Sequence, residues 1–452
     1  MNEKRQRYWY LLADVLSALV AWLLFYAFRR VEVEAQQIGI DLFLPQYNAR
    51  VVIPLIPVFW VGLYALSGYY NKGEVLFKSR FQELVATLFV NLIGVVILFF
   101  AIVLDDPISG IGFTYFYMAF LLLFVLQFFF TYVFRLFITQ RSIAKIQRGE
   151  LTRRTLVVGK EEAMTMLKAE EKRLLHCGYT IVGYVDTLEE LPALIQEQAI
   201  SNLIIAKDSL TPMQVYQMLS MEAYRNVTIQ AVPSQLMWLK GSIELGHVQG
   251  VPLIDLTASP MPIWQVNIKR VMDVCFSIVA LLLMAPLLLV CALLIGKKPV
   301  FKQQRIGLRG QPFTIYKMRS MQLDAEKTGP QLSSEHDPRI TPIGRFMRKY
   351  RIDELPQFYN VLKGEMSLVG PRPERAFYIQ QIVEKLPDYY LLSKVKPGIT
   401  SLGMVKYGYA STLGMMLERV KFELLYLDKM SLVFDGKILI YTIRTIFMGK
   451  GM

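Results

Sequence analysis

Several residue types from which common active sites are built are scarce in this chain of 452 residues. Its three cysteines, Cys177, Cys275 and Cys291, form no Cys-x-x-Cys pair and predict no disulfide framework. Its three histidines are scattered, so neither a zinc site nor a catalytic triad with histidine is predicted. The sequence also contains no nucleic-acid-binding motif, and we predict no nucleic-acid partner.

Apolar residues, in contrast, are abundant: they make up 54% of the chain, and the mean hydropathy is +0.35. The formal charge is +13 at pH 7. A basic balance can indicate nucleic acid, an anionic membrane surface or anionic substrates. Because the cations lie beside long apolar runs, we expect membrane lipids and phosphate groups as partners.

Four apolar stretches are each about long enough to cross a ~30 Å hydrocarbon core. They lie near residues 9–28, 51–70, 82–104 and 112–134. The loop before the third stretch and the segment after the fourth are rich in cations, whereas the loop at 105–106 is acidic. The positive-inside rule therefore predicts both ends in the cytoplasm, although Arg29 and Arg30 oppose this mildly. We expect no charged residue deep within these stretches, and hence an anchoring bundle rather than a transporter.

Short buried strands alternate with helical patterns in the next segment, which predicts a parallel, doubly wound α/β sheet. Strands are predicted at 154–159, 179–186, 202–208 and 227–233, and helices at 161–175, 188–198 and 211–224. Of the glycines that a dinucleotide fingerprint needs beside the pyrophosphate, only Gly159 follows the first strand. A degenerate, regulatory or assembly domain is therefore favoured over a nucleotide-binding one.

A fifth apolar run, from Val274 to Ile295, is also long enough to span a bilayer. Pro286 lies midway and is expected to break the helix. Cations precede the run at 269–270 and follow it at 297–298, so both ends favour the cytoplasmic side. We predict a re-entrant hairpin that breaks at Pro286. The alternative is a fifth spanning helix, which would place the following residues outside.

Residues 350–374 are the most informative stretch, because they contain an acidic pair, Asp353 and Glu354. Asp353 suits a helix N-cap, and Gly364 is expected to close that helix. Cations crowd the sequence before the pair, and a rigid Pro-Arg-Pro turn follows at 371–373. Carboxylates beside many cations near a helix N-terminus suit a site for Mg²⁺ and phosphate. The pair by itself is more simply an acidic cap on a basic surface helix.

A predicted pair of strands within 300–321 supplies further cations, with a turn near Arg309. Lys317 and Arg319 lie in its apolar-flanked second half, IYKMRSM, where a merely solvated strand face is less expected. Rows of such cations suit phosphate recognition.

Three segments in this order carry a resemblance to a known family. They are KQQRIGLRGQPFTIYKMRSM at 302–321, DPRITPIGRFMRKYRIDELPQFYNVLKGEMSLVGPRPE at 337–374, and VKPGIT at 395–400. The chain from Asn267 to about Met448 closely resembles the bacterial sugar transferases, the monotopic polyprenyl-phosphate hexose-1-phosphate transferases. It departs from the family pattern at Ala285, where serine is usual before the proline. It departs again after VKPGIT, where SLGMV (401–405) replaces a usual GLWQV.

The resemblance to large members of this family implies a membrane protein of the α plus α/β class, with three domains. These are an N-terminal four-helix transmembrane bundle at 1–140, a Rossmann-like cytoplasmic domain at 150–255, and a catalytic domain at 265–452 with a re-entrant helix at about 270–296. It implies a multi-pass protein of the bacterial inner membrane whose catalytic domain lies on the cytoplasmic face.

The resemblance also implies the chemistry. Asp353 is expected to attack the β-phosphate of a UDP-sugar, releasing UMP, and undecaprenyl phosphate then takes the phospho-sugar from the aspartyl intermediate. Glu354 is implied as a Mg²⁺ ligand beside Asp353, which shares the metal. The phosphate contacts are assigned to Lys317, Arg319, Arg348, Arg351 and the turn Pro371-Arg372-Pro373. Neighbouring cations and a helix N-terminus are expected to keep Asp353 ionised at neutral pH.

Two other classes of function remain as alternatives. A metal-dependent glycosyltransferase would release UDP, and it usually carries an Asp-x-Asp motif after a strand, which is lacking. A non-enzymatic membrane scaffold or sensor would tolerate loss of Asp353, Glu354 or Arg372, yet all are present. The family resemblance implies initiation of a capsule, exopolysaccharide or O-antigen repeat unit at the inner-membrane lipids. The identity of the sugar stays open, and a homodimer is one assembly that we consider.

Overall fold

The computed structural model describes residues 3–34, 47–71, 80–103, 113–206, 209–211, 214, 218, 227–232, 253–257, 259–323, 325, 337–408 and 410–447. By their internal contacts, these residues form two compact units. One unit comprises Met1–Arg153 with Glu171–Thr180, and the other comprises Arg154–Glu170 with Ile181–Met452.

Long apolar helices dominate the first unit. They are Glu3–Glu34, Tyr47–Leu66, Arg80–Leu98, which continues as a π-helical turn Phe99–Val103, and Phe113–Gln147. Three segments are long and apolar enough to cross a membrane: Arg5–Glu32, Arg80–Val103 and Thr114–Gln147. The second helix contains a shorter apolar segment, Val52–Leu66. The first helix packs on the second and fourth, and the third packs on the second and fourth.

The prediction that no charge lies deep within these stretches is wrong. Asp14, Glu83 and Arg135 form a cluster whose side chains are fully buried. Arg135 Nε contacts Asp14 Oδ1 at 2.6 Å, and its Nη1 lies 3.5 Å from Glu83 Oε1. The rings of Tyr64 and Tyr69 lie 3.9 and 3.6 Å from the guanidinium carbon. Burial of these charges is tolerated because each finds its counter-charge or an aromatic ring on another helix.

A five-stranded sheet follows, in the order β2-β1-β3-β4-β5. The strands are β1 Arg153–Val158, β2 Tyr179–Val185, β3 Asn202–Ile205, β4 Thr228–Ala231 and β5 Ile254–Asp255, and the helices are Glu161–Ala169, Glu171–His176 and Leu191–Glu197. Strands β1, β3 and β4 are parallel as predicted, but β5 runs antiparallel, so the sheet is mixed. Most of the predicted helix 211–224 lies outside the described residues.

Gly159, at the end of β1, has no space for a side chain. A Cβ atom there would lie 2.4 Å from Ser209 Oγ and 2.7 Å from Ala206 Cβ. The glycine therefore permits close packing against the segment that follows β3, which accounts for a lone glycine without the rest of the dinucleotide fingerprint.

Helix Ile263–Ile295 is 33 residues long and continues through Pro286. Its apolar surface is largely exposed, and it too is long and apolar enough to cross a membrane. At its start, Lys269 pairs with Asp435, and Asp273 Oδ1 accepts the N–H of Leu368 at 3.0 Å. Near its other end, Cys291 packs against Met318, Met347 and Ile352. Both ends of this helix therefore contact the C-terminal region. The predicted break at Pro286 is wrong, because the helix is uninterrupted there, whereas the re-entrant course stays a prediction.

The C-terminal region surrounds these contacts with short elements. The hairpin β6 Val300–Ile306 and β7 Pro312–Met318 is antiparallel and turns through a 3₁₀ segment, Leu308–Gly310, as predicted. Strands β8 Ser367–Val369 and β9 Gly398–Thr400 form a parallel pair. The α-helices are Pro342–Lys349, Gln357–Lys363, Ala376–Lys385, Leu402–Lys406, Leu413–Asp428 and Leu432–Phe447, and a 3₁₀ helix spans Pro387–Lys394.

Candidate active site

Asp353 and Glu354 lie on a tight turn between two helices. Helix Pro342–Lys349 ends, Arg351 takes a left-handed conformation (φ 55°, ψ 25°), and residues Ile352–Glu354 form one 3₁₀ turn. The next helix begins only at Gln357, so the prediction that Asp353 is its N-cap is wrong. A left-handed non-glycine residue is strained, and such strain is typical of functional sites. Gly364 ends that helix with φ 85°, as predicted.

Three cations hold Glu354. Lys317 Nζ lies 2.9 Å from Oε1, Arg351 Nη1 lies 3.1 Å from Oε2, and Arg372 Nη2 lies 3.5 Å from Oε1. The cations come from β7, from the left-handed residue before the 3₁₀ turn, and from the Pro-Arg-Pro turn. Glu354 is thus fixed by charge from three separate segments.

Asp353 differs from its neighbour. The residue is 8% exposed and lines the same cleft, and its carboxylate forms no hydrogen bond or ion pair with another described residue. A carboxylate that is fixed in place but holds no partner can accept a metal, a proton or an electrophile.

The two carboxylates also differ in acidity. Burial, and then the charge of Glu354, raise the pKa of Asp353 above its ordinary value. Burial also acts to raise the pKa of Glu354, but Lys317, Arg372 and Arg351 outweigh it and hold that pKa well below its usual range. The expectation that cations favour an ionised Asp353 therefore fits Glu354 instead, because Glu354 makes the direct ion pairs.

The cleft encloses about 230 Å³ and brings together most of the predicted site residues. It is lined by Asp353, Glu354, Lys317, Arg319, Arg348, Arg351 and Arg372, together with other residues. Arg348 donates from Nε to Ser320 Oγ at 2.8 Å, and Arg319 donates from Nε to the carbonyl of Lys298 at 2.8 Å. A row of cations therefore faces the two carboxylates.

Pro371 and Pro373 contribute through the backbone. The carbonyl of Pro371 accepts the N–H of Gly398 at 2.9 Å, and that of Pro373 accepts Arg305 Nη1 at 3.1 Å. The close approach of the two chain segments requires glycines, because a Cβ on Gly398 would lie 2.1 Å from the nitrogen of Gly370. The turn that carries Arg372 is thereby held against β9.

A second ionic network in the cleft wall was not predicted. Glu374 accepts Arg419 Nη2 at 2.5 Å and pairs with Arg305 Nη1 at 3.3 Å. Behind it, Glu423 is 3% exposed, and burial raises its pKa to about 7. Glu374 directly follows the Pro-Arg-Pro turn, which is the one sequence signal for it. Arg419 and Glu423 lie on helix Leu413–Asp428, where no site residue was predicted from the sequence.

Comparison with known proteins identifies the family to which the chain is similar. A family model described as "Bacterial sugar transferase" matches residues 264–449. A UDP-N-acetylgalactosamine-undecaprenyl-phosphate N-acetylgalactosaminephosphotransferase of Aeromonas hydrophila is 40% identical over 217 residues, 47% of this chain and 51% of the relative. A UDP-glucose:undecaprenyl-phosphate glucose-1-phosphate transferase of Escherichia coli (strain K12) is 30% identical over 335 residues, 69% of this chain and 72% of the relative.

A similarly described enzyme of Klebsiella pneumoniae is 32% identical over 278 residues, 60% of each chain. The chain therefore spans between about half and three quarters of the curated relatives described here. Fold and cleft together define a membrane-associated protein with a cationic, carboxylate-bearing cleft. The chain belongs to the bacterial sugar transferase family.

Proposed function

We propose that this protein transfers a sugar 1-phosphate from a UDP-sugar to undecaprenyl phosphate and releases UMP. The observation that carries the proposal is the division of roles between two adjacent carboxylates. Glu354 is neutralised by three cations, whereas Asp353 lies in the same cleft and forms no hydrogen bond or ion pair with another described residue. The names of the relatives support undecaprenyl phosphate and a UDP-sugar as the substrates.

Asp353 acts as the nucleophile. One carboxylate oxygen attacks the β-phosphorus of the donor, the bond from that phosphorus to the bridging oxygen breaks, and UMP leaves with the bonding electrons. The aspartyl phospho-sugar is then attacked at the same phosphorus by an oxygen of the lipid phosphate. The acyl phosphate bond breaks, Asp353 is regenerated, and undecaprenyl-diphosphate-sugar is released.

The cations of the cleft stabilise the charge that moves during both steps. Lys317, Arg351 and Arg372 surround Glu354, so they are held in place before the substrate arrives, which lowers the cost of reorganisation. Arg319 and Arg348 extend the positive surface towards the remaining phosphate oxygens.

The donor set fits Mg²⁺ in kind, because Mg²⁺ favours one or two carboxylates together with substrate phosphates. The Mg²⁺ ion would be held by the carboxylate of Asp353 and by Oε2 of Glu354. This Oε2 atom also contacts Arg351. Bound Mg²⁺ would neutralise phosphate charge and oppose the burial that raises the pKa of Asp353.

The contacts of helix Ile263–Ile295 support the proposal that the C-terminal region lies at the cytoplasmic surface of the inner membrane. The C-terminal region contacts the start of the helix at Lys269 and Asp273 and its end at Cys291. A helix that crossed the membrane would have its two ends on opposite sides and could not make both sets of contacts. A re-entrant course of Ile263–Ile295 accounts for these contacts, and the N-terminal helices add a four-helix transmembrane bundle. The lipid acceptor and the soluble donor then meet at one interface, where capsule, exopolysaccharide or O-antigen assembly begins.

The released nucleotide tests the proposal. Purified protein receives Mg²⁺, undecaprenyl phosphate and a panel of UDP-sugars, and the nucleotide products are separated. We expect release of UMP, and we expect this release to be abolished in Asp353→Asn and by chelation of Mg²⁺. When the lipid is omitted, a radiolabelled phospho-sugar should stay on the protein. Release of UDP would point to a simple glycosyltransferase, and no release from any donor would point to a scaffold or sensor.

A further inference from the structure

A buried carboxylate that does not line the cleft lies directly behind its wall. Glu423, on helix Leu413–Asp428, accepts Ser401 Oγ at 2.6 Å through Oε1, whereas its buried Oε2 has no hydrogen-bond partner among the described residues. Burying a carboxylate costs free energy unless donors satisfy it, and the donor to Oε1, Ser401, precedes a helix that borders the cleft.

The short helix Leu402–Lys406 packs against the carboxylate of Glu423. Ser401 caps the helix, since its Oγ accepts the N–H of Met404 at 3.0 Å while donating to Glu423. The helix approaches so closely that a Cβ on Gly403 would lie 2.5 Å from Glu423 Oε1. A side chain larger than glycine would therefore push the helix away from Glu423.

The same helix contacts Arg372 from the cleft side. Met404 lines the cleft, and its sulfur accepts Arg372 Nη1 at 2.9 Å. The other terminal nitrogen of Arg372 lies 3.5 Å from Glu354 Oε1. Glu423 is thus connected to the guanidinium of Arg372 through Ser401 and Met404.

We propose that Glu423 is a positioning residue that acts on the transfer reaction through Arg372. The inference rests on the proposed function, because Arg372 matters as a phosphate contact. A small misplacement of a charged group in a site can cost on the order of 100-fold in rate. The role is hydrogen-bond acceptance, so a neutral residue of the same shape should perform it.

The test compares Glu423→Ala, Glu423→Gln and Glu423→Asp in UMP release. We expect Glu423→Ala to lower kcat about tenfold with less than a twofold change in KM for the donor, since the contact matters at the reacting phosphate. Glu423→Gln should recover to within about threefold of the native kcat, because its amide oxygen can still accept the hydrogen bond from Ser401 Oγ. Glu423→Asp withdraws the carboxylate by one methylene and should fall between them.

A double-variant cycle separates positioning from general support of the fold. In an Arg372→Lys background, Glu423→Ala should lower kcat by less than about twofold, because the guanidinium that it orients is already absent. Glu418→Ala is the matched control: this exposed glutamate lies on the same helix and pairs only at the surface with Lys421. Thermal unfolding of each variant checks the fold, and Glu423→Asp, which is also expected to lower kcat, replaces Glu423→Ala in the cycle if the alanine variant does not fold.

Two failures remain distinguishable. If the native protein releases no UMP from any donor, the proposed function fails. If the native protein is active but Glu423→Ala lowers kcat equally in both backgrounds, or Glu423→Gln is as impaired as Glu423→Ala, the positioning role is overturned while the transfer reaction stands.

Discussion

Replacing Glu354 by glutamine removes one negative charge from beneath three cations. The glutamate side chain is 9% exposed, and the side chains of Lys317, Arg351 and Arg372 are 18%, 18% and 20% exposed. Breaking a fully buried ion pair costs about 3–5 kcal/mol. Because these cations keep some access to water, we expect a loss of about 2 kcal/mol, which corresponds to a fall in Tm of roughly 4–8 °C.

An anion should reverse this loss. Three cations without their carboxylate form a better phosphate site, so inorganic phosphate should raise the Tm of Glu354→Gln more than that of the native protein. The assay is thermal unfolding in detergent with increasing phosphate, at constant ionic strength to cancel general screening. It needs no catalytic activity, and thus tests the charge arrangement alone.

Glu418→Gln is the control for loss of a glutamate charge. Its carboxylate pairs with Lys421 at the surface, and such pairs contribute about 0–1 kcal/mol. Its Tm should stay near the native value and should respond to phosphate as the native protein does. Equal phosphate responses in Glu354→Gln and the native protein would refute the reasoning, because they would mean that Glu354 does not neutralise these cations.

Three further variants test other parts of the structure. Asp353→Asn should abolish UMP release yet raise the Tm at pH 7. The pKa of Asp353 is raised in the folded protein, so its ionised form disfavours folding. The gain in Tm should vanish as the pH falls below about 3.8, where Asp353 is protonated in both the folded and the unfolded protein. Arg135→Met should destabilise the helices by about 3–5 kcal/mol in thermal unfolding, because two carboxylates lose their counter-charge, whereas the exposed Arg141→Met should change little. Gly398→Ala should lower both Tm and turnover, since its Cβ would lie 2.1 Å from the nitrogen of Gly370, whereas Gly436→Ala has no atom within 4 Å and should be tolerated in both measurements.

Local features of the fold follow from the sequence because they depend on neighbouring residues. The hairpin β6–β7 turns at Arg309 and Gly310, which both have positive φ, and Gly364 ends its helix in the left-handed conformation. The apolar helices follow from runs of suitable length. In each case the relevant interactions lie within a few residues, so composition and spacing are sufficient.

The features that were missed depend on residues far apart in the chain. Arg135 lies 121 residues from Asp14, and Arg419 lies 45 residues from Glu374, yet each pair is in direct contact. The different acidities of Asp353 and Glu354 arise in the same way, because they depend on which carboxylate the distant Lys317 reaches. Adjacent residues of the same chemical type look equivalent in sequence until tertiary contacts distinguish them.

The attachment of helix Ile263–Ile295 has a consequence for the acceptor. Ile352, the residue before Asp353, packs against Cys291 near one end of the helix, while Asp273 and Lys269 tie the other end to β8 and to Asp435. If helix Ile263–Ile295 lies in the lipid layer, as proposed above, these contacts hold Asp353 at a fixed depth relative to that layer. For the proposed transfer reaction, the phosphate of the polyprenyl acceptor would then have to lie at that depth, whereas the length of its distal chain would not affect the reaction.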